Sequence, residues 1–356
     1  MQAISLDRVA ALFDGIVDLR RRPDALQATR VPVAELPLYD EFTRFVATMP
    51  GGARLRLRSD TRTLELNLTQ RRTLLNDVPR PAFFDLYVDG KRLQRAAAIG
   101  GALVDANTGT SSGDVRAHIS FADLPAGDKH IELWLPQFAS VYLTGLAIDD
   151  AATLRPWPDV RQRIVFHGSS ITHCAEAAGP SDAWPAVAAR AANVRHLNLG
   201  WAGSCLLSGM AARIIRDQPA NAIVLKLGIN VSDSGLLKER TFADSANAMI
   251  AIIREKHPRV PLALVSPIYS SARENHSAGG GMTLTQMRTT LSSIADTWQR
   301  MGDVNIHYLS GLELFSAADA ADLPDDLHPN AAGYIRMGER FFEKMLAPSK
   351  LLALPR

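Results

Sequence analysis

At 356 residues the chain exceeds the size at which single hydrophobic cores stop growing, so two domains are expected. Hydrophobic residues make up 47% and charged residues 21%, which excludes a disordered or fibrous chain. Lys+Arg of 39 against Asp+Glu of 37 leaves a formal charge of +2, and no basic run is present, so nucleic acid is excluded as a partner. Met1 to Arg8 lacks the basic and apolar regions of a secretory signal, and no stretch of about 18 apolar residues follows, so a cytoplasmic protein with no membrane segment is expected. Cys174 and Cys205 are too few for a disulfide scaffold and lack metal-ligand spacing.

From Ala53 to Ile148 apolar and polar residues alternate, as in Arg54-Leu55-Arg56-Leu57-Arg58, Leu64-Glu65-Leu66-Asn67-Leu68 and Ile131-Glu132-Leu133-Trp134-Leu135. Period two predicts half-buried strands. Pro50-Gly51-Gly52, Asp89-Gly90 and Ala126-Gly127-Asp128 supply turns between them, and the pattern predicts an all-β, jelly-roll-like sandwich. Its aromatic residues, such as Phe83, Phe84 and Trp134, lie in strand-like runs and read as core. In Leu154-Arg155-Pro156-Trp157-Pro158 the prolines are expected to stop both ladder and helix, which sets domains at 1–155 and 156–356.

Beyond that point short apolar runs alternate with helical stretches. Arg163–Phe166, Val194–Leu199, Ala222–Leu227, Val260–Val265 and Val304–Leu309 read as strands, and Thr241–Lys256 and Leu284–Met301 as helices. The repeated βαβ unit predicts a five-stranded parallel sheet with helices on both faces, a three-layer α/β/α domain. Ligands of such folds sit at the carboxyl ends of the strands, and candidate groups are judged by that position.

The first strand ends in Phe166-His167-Gly168-Ser169-Ser170-Ile171-Thr172, placing the Ser170 hydroxyl on a turn at the carboxyl edge. The second ends in Asn198-Leu199-Gly200-Trp201-Ala202-Gly203-Ser204 and the third in Leu227-Gly228-Ile229-Asn230, which brings glycine backbone and the Asn230 amide to the same edge. Donors fixed there stabilise the oxyanion of acyl transfer. After the last strand, Leu323-Pro324-Asp325-Asp326-Leu327-His328-Pro329-Asn330 returns an imidazole to that edge. A hydroxyl needs such a base, and the base needs a third group to fix its tautomer. Asp325, three residues before His328, can fold back onto the ring, whereas the neighbouring Asp326 is expected to point elsewhere. His257 ends a helix before strand four and so lies at the opposite edge, while His167 and His173 flank the serine turn and read as pocket lining or, in preference, as hydrogen-bonded structural histidines.

Taken in order, Gly168-Ser169-Ser170, Gly203, Gly228-Ile229-Asn230 and Asp325-Asp326-Leu327-His328 resemble the four blocks of the SGNH (GDSL) hydrolase superfamily. The resemblance covers about 161–346. It implies an oxyanion hole made by the N–H groups of Ser170 and Gly203 with the Asn230 amide. Ser169 stands where the usual motif has aspartate, and Val231 follows Asn230 where many members have aspartate; neither change removes a catalytic group. The two-domain layout, with Ser266-Pro267-Ile268-Tyr269-Ser270-Ser271-Ala272-Arg273-Glu274, also resembles the salicylyl-transferring GDSL acyltransferases of tetracycline biosynthesis, which implies the architecture and a capacity for acyl transfer.

The expected function is therefore a serine esterase that cleaves a small acyl ester through an acyl-enzyme on Ser170. An acyltransferase that moves the group from an ester or thioester to an alcohol differs only in its second step. A non-catalytic carbohydrate-binding protein is the reading from another class, and the intact Ser170, Asp325 and His328 argue against it. No metal motif, phosphate-cradling loop or dinucleotide fingerprint occurs, so no cofactor is expected and the partner is a small acyl ester or thioester. The loop Arg273–Met282, with its three consecutive glycines, reads as a lid or as a surface connection; Trp201 and Tyr269 read as pocket wall or as packing.

Overall fold

The computed structural model describes residues 1–75, 78–105, 108–352 and 354. The chain divides into two compact units, Met1–Val160 with Ala178–Ser181, and Arg161–Ala177 with Asp182–Arg356.

The first unit holds a ten-stranded and a six-stranded sheet. Leu64, Leu66 and Leu68 from the first and Leu55, Leu57, Ile131 and Leu133 from the second all enter one buried cluster, so the alternating leucines are the shared inner layer of a sandwich. Pairing is antiparallel throughout except between Ala102–Asp105 and Leu64–Leu75. Strands Gln2–Ile4, Asp18–Arg22 and Ala25–Thr29 extend the larger sheet ahead of the region that alternation marks.

Two expectations are corrected here. Strand Arg54–Ser59 is not half-buried: Arg54 and Arg56 are buried as well. Arg56 pairs with Glu132 and Asp159 at 3.1 Å each and lies 3.8 Å over the Trp157 ring, while Arg54 pairs with Asp14 and covers Trp134 at 4.7 Å. A guanidinium tolerates this position because planar partners and carboxylates replace its water. Pro156 also enters a ladder, as the last residue of its strand, while Pro158 lies beyond it. Leu154–Pro156 pairs antiparallel with Arg54–Ser59 as the outermost strand of its sheet, where a missing N–H costs least.

In the second unit five parallel strands, β1 (Arg163–Gly168), β2 (Arg195–Gly200), β3 (Ala222–Lys226), β4 (Leu262–Val265) and β5 (Ile306–Leu309), lie in the order β2-β1-β3-β4-β5. Their apolar residues are buried, as a sheet covered on both faces requires. The helices in chain order are α1 (Ser170–His173), α2 (Trp184–Ala191), α3 (Gly209–Asp217), α4 (Ile229–Ser232), α5 (Glu239–Arg254), α6 (Leu284–Arg300) and α7 (Ala331–Phe341). Helices α2 and α7 pack together, with Trp184 and Phe341 closing on Phe166 of β1 at 5.2 and 5.8 Å between ring centroids. Helices α3, α5 and α6 form the other group. Among the described residues no helix is long and apolar enough to cross a membrane.

Candidate active site

The serine turn is built by local capping. Ser169 is the N-cap of α1 and its hydroxyl accepts from the N–H of Ile171, so Ser170 takes the first helical position, at the carboxyl end of β1. The turn lies against the end of β2, where Gly200 admits it: a Cβ there would stand 2.3 Å from the backbone nitrogen of His173. Gly203 follows with φ +70°, a left-handed conformation that favours glycine.

Ser170 Oγ lies 2.8 Å from His328 Nε2, and His328 Nδ1 lies 2.7 Å from Asp325 Oδ2. The other oxygen of Asp325 accepts from the N–H groups of Leu327 and His328 at 3.0 and 2.7 Å, so one carboxylate closes the turn and holds the ring. Burial pushes the Asp325 carboxyl up, but the bonds from the His328 ring and backbone outweigh it and hold the group below the usual carboxylate range. An ionised Asp325 can only accept. Nδ1 therefore carries the hydrogen, and Nε2 is left to take the proton of Ser170.

Asn230 sits in α4, just past β3, and its side-chain oxygen accepts from the N–H of Cys205 at 3.1 Å. That bond settles which end of the amide faces the anchor and leaves the NH2 end as donor. Among the described residues the Ser170 and Gly203 N–H groups and the Asn230 amide nitrogen have no acceptor in the protein.

All five expected residues thus stand beyond strand ends at one edge of the sheet, Ser170 and Asn230 on short helices and the others on connections, and Ser170, His328 and Asp325 form one hydrogen-bonded chain. Asp326 turns away as expected, its carboxylate accepting from Ser270, Ser271 and Ala272. His167 is structural, with Nδ1 2.8 Å from the Leu199 carbonyl. Trp201 is buried edge-on to that ring and belongs to packing, whereas Tyr269 is half-buried. The loop Arg273–Met282 is fastened to the segment after Asn230: Ser277 donates to the Ser232 carbonyl, Ser232 to that of Met282, and Lys238 to that of Gly280.

Cys174 and Cys205 are free and buried. Burial pushes both thiols up, Cys205 to about 12, so neither supplies a thiolate nucleophile. Sequence reasoning missed Lys226, a buried ammonium at the end of β3 that burial pushes down to about 8. It also missed the charged contacts of Arg273, which joins Asp233 to the Ser270 hydroxyl. Among the described residues no three His, Cys, Asp or Glu side chains are grouped to hold a metal ion.

An α/β/α sheet that presents these groups at its carboxyl edge has the layout of a serine-dependent acyl-transferring enzyme. Residues 161–346 match the GDSL-like lipase/acylhydrolase family, and the chain belongs to it. Over its length the fold is similar to the salicylyl-acyltransferase SsfX3 of a tetracycline biosynthetic pathway, at 30% identity and a TM-score of 0.81, with 92% of each chain covered. A structure of a GDSL-like lipase from Bacteroides ovatus shares 17% identity at a TM-score of 0.75, covering 96% of this chain and 95% of that one. An active-site mutant of a family two carbohydrate esterase from Clostridium thermocellum shares 16% at 0.64, covering 91% and 94%. No curated protein matches the sequence.

Proposed function

We propose that the chain is an esterase that cleaves a small acyl ester through a covalent intermediate on Ser170. The carrying observation is the unbroken chain from Ser170 Oγ through His328 to Asp325. His328 Nε2 takes the hydroxyl proton as Oγ attacks the carbonyl carbon, and Asp325 stabilises the imidazolium that results. The oxyanion is held by the N–H groups of Ser170 and Gly203 and by the Asn230 amide, and one such donor is typically worth about 3 kcal/mol. On collapse the C–O bond of the ester breaks and the His328 imidazolium gives its proton to the leaving oxygen, so that the free alcohol departs, an acyl-serine remains and the imidazole is neutral again. Water, deprotonated by the same imidazole, then releases the acid and restores the serine.

A second reading has an alcohol take the place of water. The observation that favours it is the 30% identity to a salicylyl-acyltransferase along 92% of this chain. Both readings require Ser170, and they part at the acceptor.

The test is release of p-nitrophenol from p-nitrophenyl acetate, with and without added alcohols. Wild type should hydrolyse the ester and Ser170→Ala should lose about a million-fold in turnover. Equal rates for both proteins would sink the serine mechanism. Formation of a new ester in proportion to added alcohol would favour transfer over hydrolysis.

A further inference from the structure

Three turns at the carboxyl edge surround Ser170: one after β3 with Asn230, one after β4 with Ser270 to Arg273, and one after β5 with Asp325 and His328. Arg273 joins them. Its Nε donates to Asp233 Oδ2 at 2.6 Å, and Asp233 is the C-cap of α4, the helix that carries Asn230. Its Nη1 donates to the Ser270 hydroxyl at 3.1 Å and lies 3.8 Å from Asp326 Oδ2.

Asp326 completes the bridge from the other side. It has φ +58°, a conformation that Asp tolerates better than most residues. The carboxylate, turned away from the imidazole, accepts from Ser271 N–H and Oγ at 2.9 and 2.8 Å, from Ala272 N–H at 2.9 Å and from Ser270 Oγ at 3.2 Å. It is flanked by Asp325, which holds the ring, and lies two residues before His328. The side chains of Arg273, Asp233 and Asp326 are 22%, 37% and 33% exposed, so water screens their charges and the weight of the arrangement is geometric.

We infer that Arg273, acting with Asp326, is a positioning residue that clamps the imidazole-bearing turn to the asparagine-bearing turn, so that base and oxyanion donor keep one spacing about Ser170. This rests on the reading of Ser170 as nucleophile. Neither residue of the clamp bonds to Ser170, to the His328 ring or to the Asn230 amide, so it is expected to act on the rate of the bond-forming step and to leave ground-state binding alone.

The experiment measures phosphonylation of the full chain by a rhodamine-linked fluorophosphonate. The Ser170 oxygen forms the bond to phosphorus, the P–F bond breaks, His328 receives the hydroxyl proton and fluoride leaves. The reagent requires the base and the oxyanion donors without requiring a particular substrate. Arg273→Met should lower the maximal labelling rate about 10- to 100-fold with half-saturation unchanged, and Arg273→Lys should restore part of it. Asp326→Asn should also slow labelling, and the double variant should be no slower than the worse single one, because the two act as a unit. Asp233→Asn, which removes the far anchor alone, should fall in the same direction and serves if Arg273→Met does not fold. An unchanged maximal rate in folded variants, a loss confined to half-saturation, or additive losses would overturn the clamp. Ser170→Ala separates the two ideas: if it still labels, or wild type does not, the nucleophile assignment fails and the clamp with it.

Discussion

Lys226 sits where an ammonium is least comfortable, 2% exposed at the end of β3 beside the site. Burial lowers its pKa from the ordinary 10.5 to about 8, so the folded state resists the charge that the unfolded chain carries freely. Between about pH 8 and 10.5 the unfolded state binds more protons, and stability rises with pH across that window. Lys226→Met should therefore raise the urea midpoint at neutral pH, and the gain should shrink as pH climbs through the window; a constant gain would show that the charge is not its source. Neither Lys226 nor Arg273 was legible in the sequence. Lys226 looks like the polar end of an apolar strand, and Arg273 like the first residue of a glycine-rich loop, since its partners Asp233 and Asp326 lie 40 and 53 residues away along the chain. The placement of Ser170, Gly203, Asn230, Asp325 and His328 was legible because each lies in a connection that leaves a strand end, and the doubly wound fold sends every such end to one edge.

At the level of elements, the end of β2 and the serine helix α1 behave as one piece. A Cβ on Gly200 would meet the backbone of Thr172 and His173 at 2.5 and 2.3 Å, and backbone cannot step aside as a side chain can. Gly200→Ala should cost about 1–3 kcal/mol in stability and, by shifting the first helical turn, should lower turnover further than the fraction unfolded accounts for. Thermal melts and initial rates on the same preparation check both; unchanged turnover per folded molecule would show that α1 does not move with β2. The parallel strands were readable because a sheet covered on both faces demands continuous apolar runs, and β1 to β5 carry them. Strand Arg54–Ser59 was misread for the converse reason. Alternating arginines signal a wet face, and the stacking of Arg56 on Trp157 that dries it depends on a residue a hundred positions later.

For the molecule as a whole, the weight of the first unit rests partly on Asp85, fully buried, which accepts from Arg95 at 2.6 and 2.8 Å and from Ser181 N–H and Oγ at 3.0 and 2.7 Å. Burial pushes its carboxyl up, but these donors outweigh it and the net shift is below the ordinary 3.8. A depressed carboxyl contributes stability above its unfolded pKa and loses it as pH falls through the folded value. Asp85→Ala should cost about 3 kcal/mol near neutral pH, and the difference from wild type should narrow below about pH 4; urea melts at both ends of that range check it. A difference that persisted in acid would assign the loss to packing instead of charge.

The distance in sequence between Ser170 and His328 carries a last consequence. Asp325 and His328 belong to one four-residue turn, and that pair can form as soon as the turn does. The bond from His328 to Ser170 spans 158 residues and exists once the first and last segments of the sheet have both been laid down. During refolding, far-ultraviolet ellipticity should therefore return ahead of fluorophosphonate reactivity, and the lag between the two clocks measures the closing of that long loop.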